Sequence, residues 1–106
     1  MKLQEFYELA IQAGMAADPR GKAALEQELQ DAKKAYEELK PEDKAFYDTE
    51  RLSNPYTDSR ILHGDPDREI GKVLAGIDME APELLLADRL NQKGEGIDLV
   101  LSHHPE

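Results

Sequence analysis

Two short apolar runs with a helix between them set the strongest limit on how this chain can fold. Lys72 to Asp78 (KVLAGID) is flanked by Gly71 and by a polar break, and it fits a strand buried on both faces. Met79 to Ala81 form a connection, and Pro82 suits the first position of a helix. Leu85, Leu86 and Leu90 supply that helix with an apolar flank, and Gly94 stands where a left-handed terminator is wanted. The second run, Ile97 to Ser102, is interrupted only by Asp98. Strand, helix and strand make a βαβ unit, whose strands are parallel and whose crossover is right-handed.

Before this unit the chain reads as helix, and its character changes near residue 53. Leu3, Phe6, Tyr7, Ala10, Ile11 and Gly14 recur at helical spacing, predicting a helix that ends near Ala17. Asp18-Pro19 is a helix-start signal: the carboxylate can cap free N–H groups, and proline lacks a donor where none is needed. Leu25, Leu29, Ala32, Tyr36 and Leu39 then form a seam, best read as one helix packed on the first as a hairpin and too short for a coiled coil. Lys40-Pro41 breaks it, a third helix runs through Phe46 and Tyr47 towards Arg51, and Ser53-Asn54-Pro55 closes the section. Tyr36 and Tyr47 sit at core spacing and read as packing residues. The predicted class is α/β: a helical section, residues 1–52, followed by a βαβ part, residues 53–106, that begins a larger α/β domain.

Composition removes several functions. A net charge of -10 argues against a nucleic-acid partner, because phosphates are held by basic patches. With no cysteine there is no disulfide framework and no thiolate metal site, so any metal needs His and carboxylate ligands. No apolar run is long enough to span a bilayer, and Glu5 and Glu8 spoil any secretory signal, so a cytoplasmic location is expected.

In a βαβ unit the C-terminal ends of both strands share one sheet edge, where α/β proteins build their sites. Asp78 ends the first run, and His103 and His104 end the second, with Pro105 stopping further pairing. Imidazole and carboxylate together suit zinc, iron or manganese. Neighbouring residues of a flat strand point to opposite faces, so the histidines address two ions more easily than one. The competing reading is a solvated pair at a strand end. His63, in HGDPD, reads as a loop residue, and Asp65 and Asp67 read as turn formers around Pro66.

From Leu62 to Pro105 the chain resembles the N-terminal part of the Nif-three-like family, also known as GTP cyclohydrolase-type dinuclear metal proteins. Three features carry the resemblance in order: a Gly-Asp-Pro turn, a strand ending in aspartate before a Pro-Glu helix start, and an apolar strand ending Ser-His-His-Pro. The resemblance implies a toroidal, commonly hexameric homo-oligomer with two divalent ions per complete subunit. It implies His103 and His104 as metal ligands and Asp78 as the residue that orients them. Ala81 replaces the Thr or Ser common before the proline, which removes a helix cap, and Glu106 replaces an apolar residue.

Family members draw further ligands from regions well past this motif, so the chain is expected to be a fragment of a longer protein. Two function classes follow. One is a metal-dependent hydrolase acting on a small molecule through metal-activated water. The other is a non-catalytic oligomeric scaffold or interaction module that uses the helical half.

Overall fold

The computed structural model describes residues 1–104; Pro105 and Glu106, which carry the expected strand stop and the family departure, lie outside the described residues. The architecture is α/β, with helices first and then a two-stranded parallel sheet with one helix between its strands. The chain forms two compact units, residues 8–60 and residues 1–7 with 61–106. The compositional change at residue 53 therefore differs from the division into units: the segment to Arg60 folds with the helices, and the first seven residues fold with the sheet.

The helical unit holds most of α1 (Leu3–Ala17), then α2 (Lys22–Glu37), the single turn α3 (Pro41–Lys44) and a 3-10 turn, Thr49–Leu52. Along α2 the predicted seam is the inner face. Leu25 is 1% exposed, Leu29, Ala32 and Tyr36 are half-buried, and the remaining positions of the helix are exposed. The seam meets the chain that follows it: the Tyr36 and Tyr47 rings lie 5.2 Å apart, and Tyr47 Oη donates to the Ala32 carbonyl at 3.3 Å. The main backbone approach of α2 is to the 3-10 turn. Asp18-Pro19 does not open α2, which starts three residues later behind Gly21, at φ +87°. The third helix is also shorter than its signals imply, since Ala45 and Phe46 leave the helical ladder and Phe46 is exposed.

Asn54 is the buried polar centre of this unit, 2% exposed. Its Oδ1 accepts from the Tyr56 N–H at 2.8 Å and its Nδ2 donates to the Ser59 carbonyl at 2.8 Å, so one side chain closes the 54–59 turn at both ends. Arg60 completes the turn by donating to the carbonyls of Tyr56 and Ser59, with ion pairs to Asp48 at 3.0 Å and Glu50 at 2.9 Å.

In the other unit β1 (Val73–Asp78) and β2 (Leu99–His104) pair in parallel, with Val73 opposite Leu99 and Asp78 opposite His104. Between them α4 (Ala81–Gln92) ends at Gly94, whose φ of +90° is the left-handed terminator foreseen from sequence. The missing Thr or Ser cap is replaced from the other side of the helix start, where Glu83 accepts the Glu80 backbone N–H at 2.9 Å. Asn91 then fixes the exit loop, accepting from the Ile97 N–H and donating to its carbonyl.

A crossover helix covers one sheet face, and the burial pattern identifies it. Leu74, Gly76, Val100 and Ser102 are half-buried, whereas Val73, Ala75, Ile77 and Leu101 on the opposite face are exposed. Burial on both faces of β1 is therefore not realised, because a single helix can cover only one side of a two-stranded sheet. Ile77 is 64% exposed, and on α4 Leu85 and Leu86 also face outward while Ala87 and Leu90 turn in.

Candidate metal site at the strand ends

The parallel register brings Asp78 and His104 side by side at the last rung of the ladder. Asp78 Oδ1 lies 3.0 Å from His104 Nδ1. An ionised carboxylate has no proton to give, so Nδ1 is the donor, and in the neutral imidazole Nε2 keeps its lone pair for a ligand. The His103 ring stacks on that of His104, with centroids 4.9 Å apart and planes at 30°. The alternation of a flat strand would send the two rings to opposite faces. Here the last rung among the described residues pairs Asp78 with His104, and the His103 side chain leans along the strand over its neighbour. The two imidazoles thus address one shared space.

The rung is open to water, with the Asp78 and His104 side chains both more than half exposed. The donor chemistry suits a borderline divalent ion, since one oriented imidazole stands beside a second. Among the described residues no group of three or more His, Cys, Asp or Glu side chains converges to hold a metal. The described residues thus place two imidazoles side by side, with Asp78 engaged by His104.

His63 stands exposed in the turn that precedes the sheet. Asp65 is a turn former, as expected: its side chain accepts the Asp67 N–H at 2.9 Å and its carbonyl accepts from Arg68 at 3.1 Å. The turn is pinned to the N-terminus through Leu3 N–H to the Arg68 carbonyl and Gln4 N–H to the Pro66 carbonyl, both 2.9 Å.

Two carboxylates matter more than the sequence reading allowed. Asp98, read there as an interruption of a strand, accepts from the Gly71 N–H at 3.0 Å, the Lys72 N–H at 3.2 Å and Arg68 Nη2 at 3.1 Å. These donors, the Gly71 N–H foremost, hold its carboxyl below the usual range. Asp98 thereby fixes the start of β1 against the start of β2. Asp18, read as a helix cap, instead takes Arg20 through its backbone N–H at 2.9 Å and its guanidinium at 3.0 Å, and accepts the Tyr56 hydroxyl at 2.9 Å. The Asp18-Pro-Arg spacing allows the Arg20 contact, but Tyr56 lies too far along the chain for any local pattern to reveal it. The Asp18 side chain borders a cleft of about 390 Å³ that is otherwise walled mainly by Ile11, Gly14, Ala17 and Tyr56.

Hydrogen bonds from the Arg20 guanidinium and then its backbone N–H hold the Asp18 carboxyl far below the ordinary Asp value. Burial first, and then the bond to Asp18, push the Tyr56 phenol up, so it remains a donor. The unfolded chain consequently binds more protons than the folded one in acid. The stabilisation is complete above the ordinary Asp pKa of about 4 and fades as pH falls below it. Urea midpoints measured from pH 7 to pH 2.5 should therefore drop below about pH 4 in the wild type. Asp18→Asn should be less stable at pH 7 and show a shallower acid decline; equal slopes would show that Asp18 does not carry the effect.

Comparison with protein-family models, with curated proteins and with solved structures returned no match.

Proposed function

We propose that this chain is a divalent-metal-binding protein in which His103 and His104 are ligands and Asp78 orients His104. The observation that carries the proposal is the Asp78 Oδ1 to His104 Nδ1 contact of 3.0 Å, which turns a lone-pair nitrogen outward beside a second imidazole. The Nif-three-like resemblance of Leu62 to Pro105 adds the expectation of two ions, zinc, iron or manganese, per complete subunit of a homo-oligomer, which we place in the cytoplasm. Exposed Val73, Ile77 and Leu101 support assembly, because apolar side chains grouped on one sheet face favour a protein partner over water.

The chemistry proposed is hydrolysis of a small molecule: bound divalent ions supply Lewis acidity at the sheet edge. The chain's own contribution is positional. Asp78 fixes the His104 tautomer, and the β1–β2 register fixes Asp78. Substrate identity is not encoded in these groups, since a fold and a donor set name no reaction.

Equilibrium dialysis of the full chain against Zn²⁺ and Mn²⁺, followed by elemental analysis, tests the proposal. At least one ion per chain is expected, with loss on His103→Ala. Less than one ion per chain, with no change on His103→Ala, would overturn it.

A further inference from the structure

The Asp78–His104 rung depends on two strand ends staying in register, and in a two-stranded sheet few groups are available to enforce that. Ser102 is placed to do so. It lies two residues before His104 on the same face of β2, opposite Gly76 in the register, and its side chain is directed along the sheet edge towards the site. Its Oγ donates to the Ile77 carbonyl at 3.2 Å, across the sheet and immediately before Asp78, and also approaches the carbonyl of His104 itself. A hydroxyl carries one proton, so it serves these two acceptors alternately, and both belong to residues that define the rung.

Opposite Ser102, a Cβ on Gly76 would come within 2.5 Å of the Met79 sulfur, so the Met79 side chain folds back over the glycine. Two side-chain hydrogen bonds cross between the described strand ends, Ser102 to the Ile77 carbonyl and His104 to Asp78. The first ties the Ser102 side chain to the Ile77 backbone, and the second joins the two side chains of the last rung at 3.0 Å.

We infer that Ser102 is a positioning residue for the metal site: its hydroxyl holds the Ile77–Asp78 end of β1 against the His104 end of β2, and so sets the tautomer of His104. The inference rests on the reading of His104 as a ligand, and its test separates the two.

The test is ¹⁵N-imidazole NMR of the full chain at pH 8, without metal, comparing Ser102→Thr with Ser102→Val. These side chains have nearly the same shape and suit a strand, and they differ in the hydroxyl. The wild type and Ser102→Thr should show His104 mainly as the Nδ1–H tautomer. In Ser102→Val the ratio of Nδ1–H to Nε2–H should fall about fivefold, the scale of one net hydrogen bond. Equal ratios in the two variants overturn the inference. Should the valine variant not fold, Ser102→Ala against wild type gives the same comparison without added bulk. Zn²⁺ titration of the same samples keeps the readings apart. A tautomer shift without Zn²⁺ uptake by the wild type overturns the metal reading and upholds Ser102; uptake with equal tautomer ratios does the reverse.

Discussion

Leu25→Ala should lower stability by about 2–5 kcal/mol, the cost of removing a buried leucine side chain and leaving a cavity that its neighbours fill only partly. Leu25 is the most deeply buried side chain of the seam, while the other seam positions are half-buried and can adjust. The effect should therefore peak at this position and be smaller for Leu29→Ala. Each kcal/mol corresponds to about 4–8 °C in melting temperature for a domain of this size, so a calorimetric or circular-dichroism melt resolves the difference. The sign of a second comparison is also fixed. If the seam served chiefly to hold a partner, polar replacements at Leu29 and Tyr36 would abolish assembly and leave the melt unchanged. Because the Tyr36 ring packs at a tilt against that of Tyr47 within the same unit, those replacements are expected to lower the melt.

Asn54→Ala should be nearly as damaging by a different route. It removes no large apolar volume, but it leaves the Tyr56 N–H and the Ser59 carbonyl without the partners they have in the closed turn. A buried group left without a hydrogen bond costs about 1–3 kcal/mol, and water entering the opened turn recovers part of that, so about 2–3 kcal/mol is expected in all. The urea midpoint should fall with little change in slope, since the extent of burial is similar. Asn54→Asp is the informative control. It keeps an acceptor for Tyr56 but sets a carboxylate against the Ser59 carbonyl, so it should not rescue. A fully stable Asn54→Asp protein would show that the donor half of the clamp contributes nothing.

Features with a short period were legible in the sequence. The seam of α2, the end of α1 at Ala17, the two strands and the Gly94 terminator each follow from residues within a turn or two of one another. What escaped was set by partners distant along the chain. Asp18 has the composition of a cap, yet Tyr56 and Arg20 claim its oxygens. Asp98 breaks an apolar pattern and looks like a flaw until Gly71 and Lys72 are brought against it by strand pairing. β1 is less buried than its apolar run implies, because such a run reports what a strand could bury, whereas the layers around it decide what it does bury.

The site divides in the same way. That Asp78 and His104 would meet at one sheet edge followed from the topology of a βαβ unit. The stacking of His103 did not, because alternation alone sends the rings of neighbouring residues to opposite faces. Ser102 stood out only as the first residue of Ser-His-His-Pro, and its role depends on the two carbonyls it reaches.

The uncovered sheet face has a consequence for how the protein behaves during synthesis and storage. Both strands are short and apolar and, among the described residues, unpaired on their outer edges, which is the pattern that templates intermolecular β-pairing. Charges stand at the ends of the runs: Lys72 precedes β1, Asp78 closes it, and Asp98 precedes β2. They act as gatekeepers, because an incoming strand must bury or displace a charged group before it can extend the ladder. Asp98 and Asp78 thus combine two duties, holding the native register and obstructing a foreign one. Neutralising both would leave Lys72 as the one charge at the ends of the runs beside an apolar face, and the doubly substituted protein is expected to fibrillate sooner than the wild type in a thioflavin-T time course.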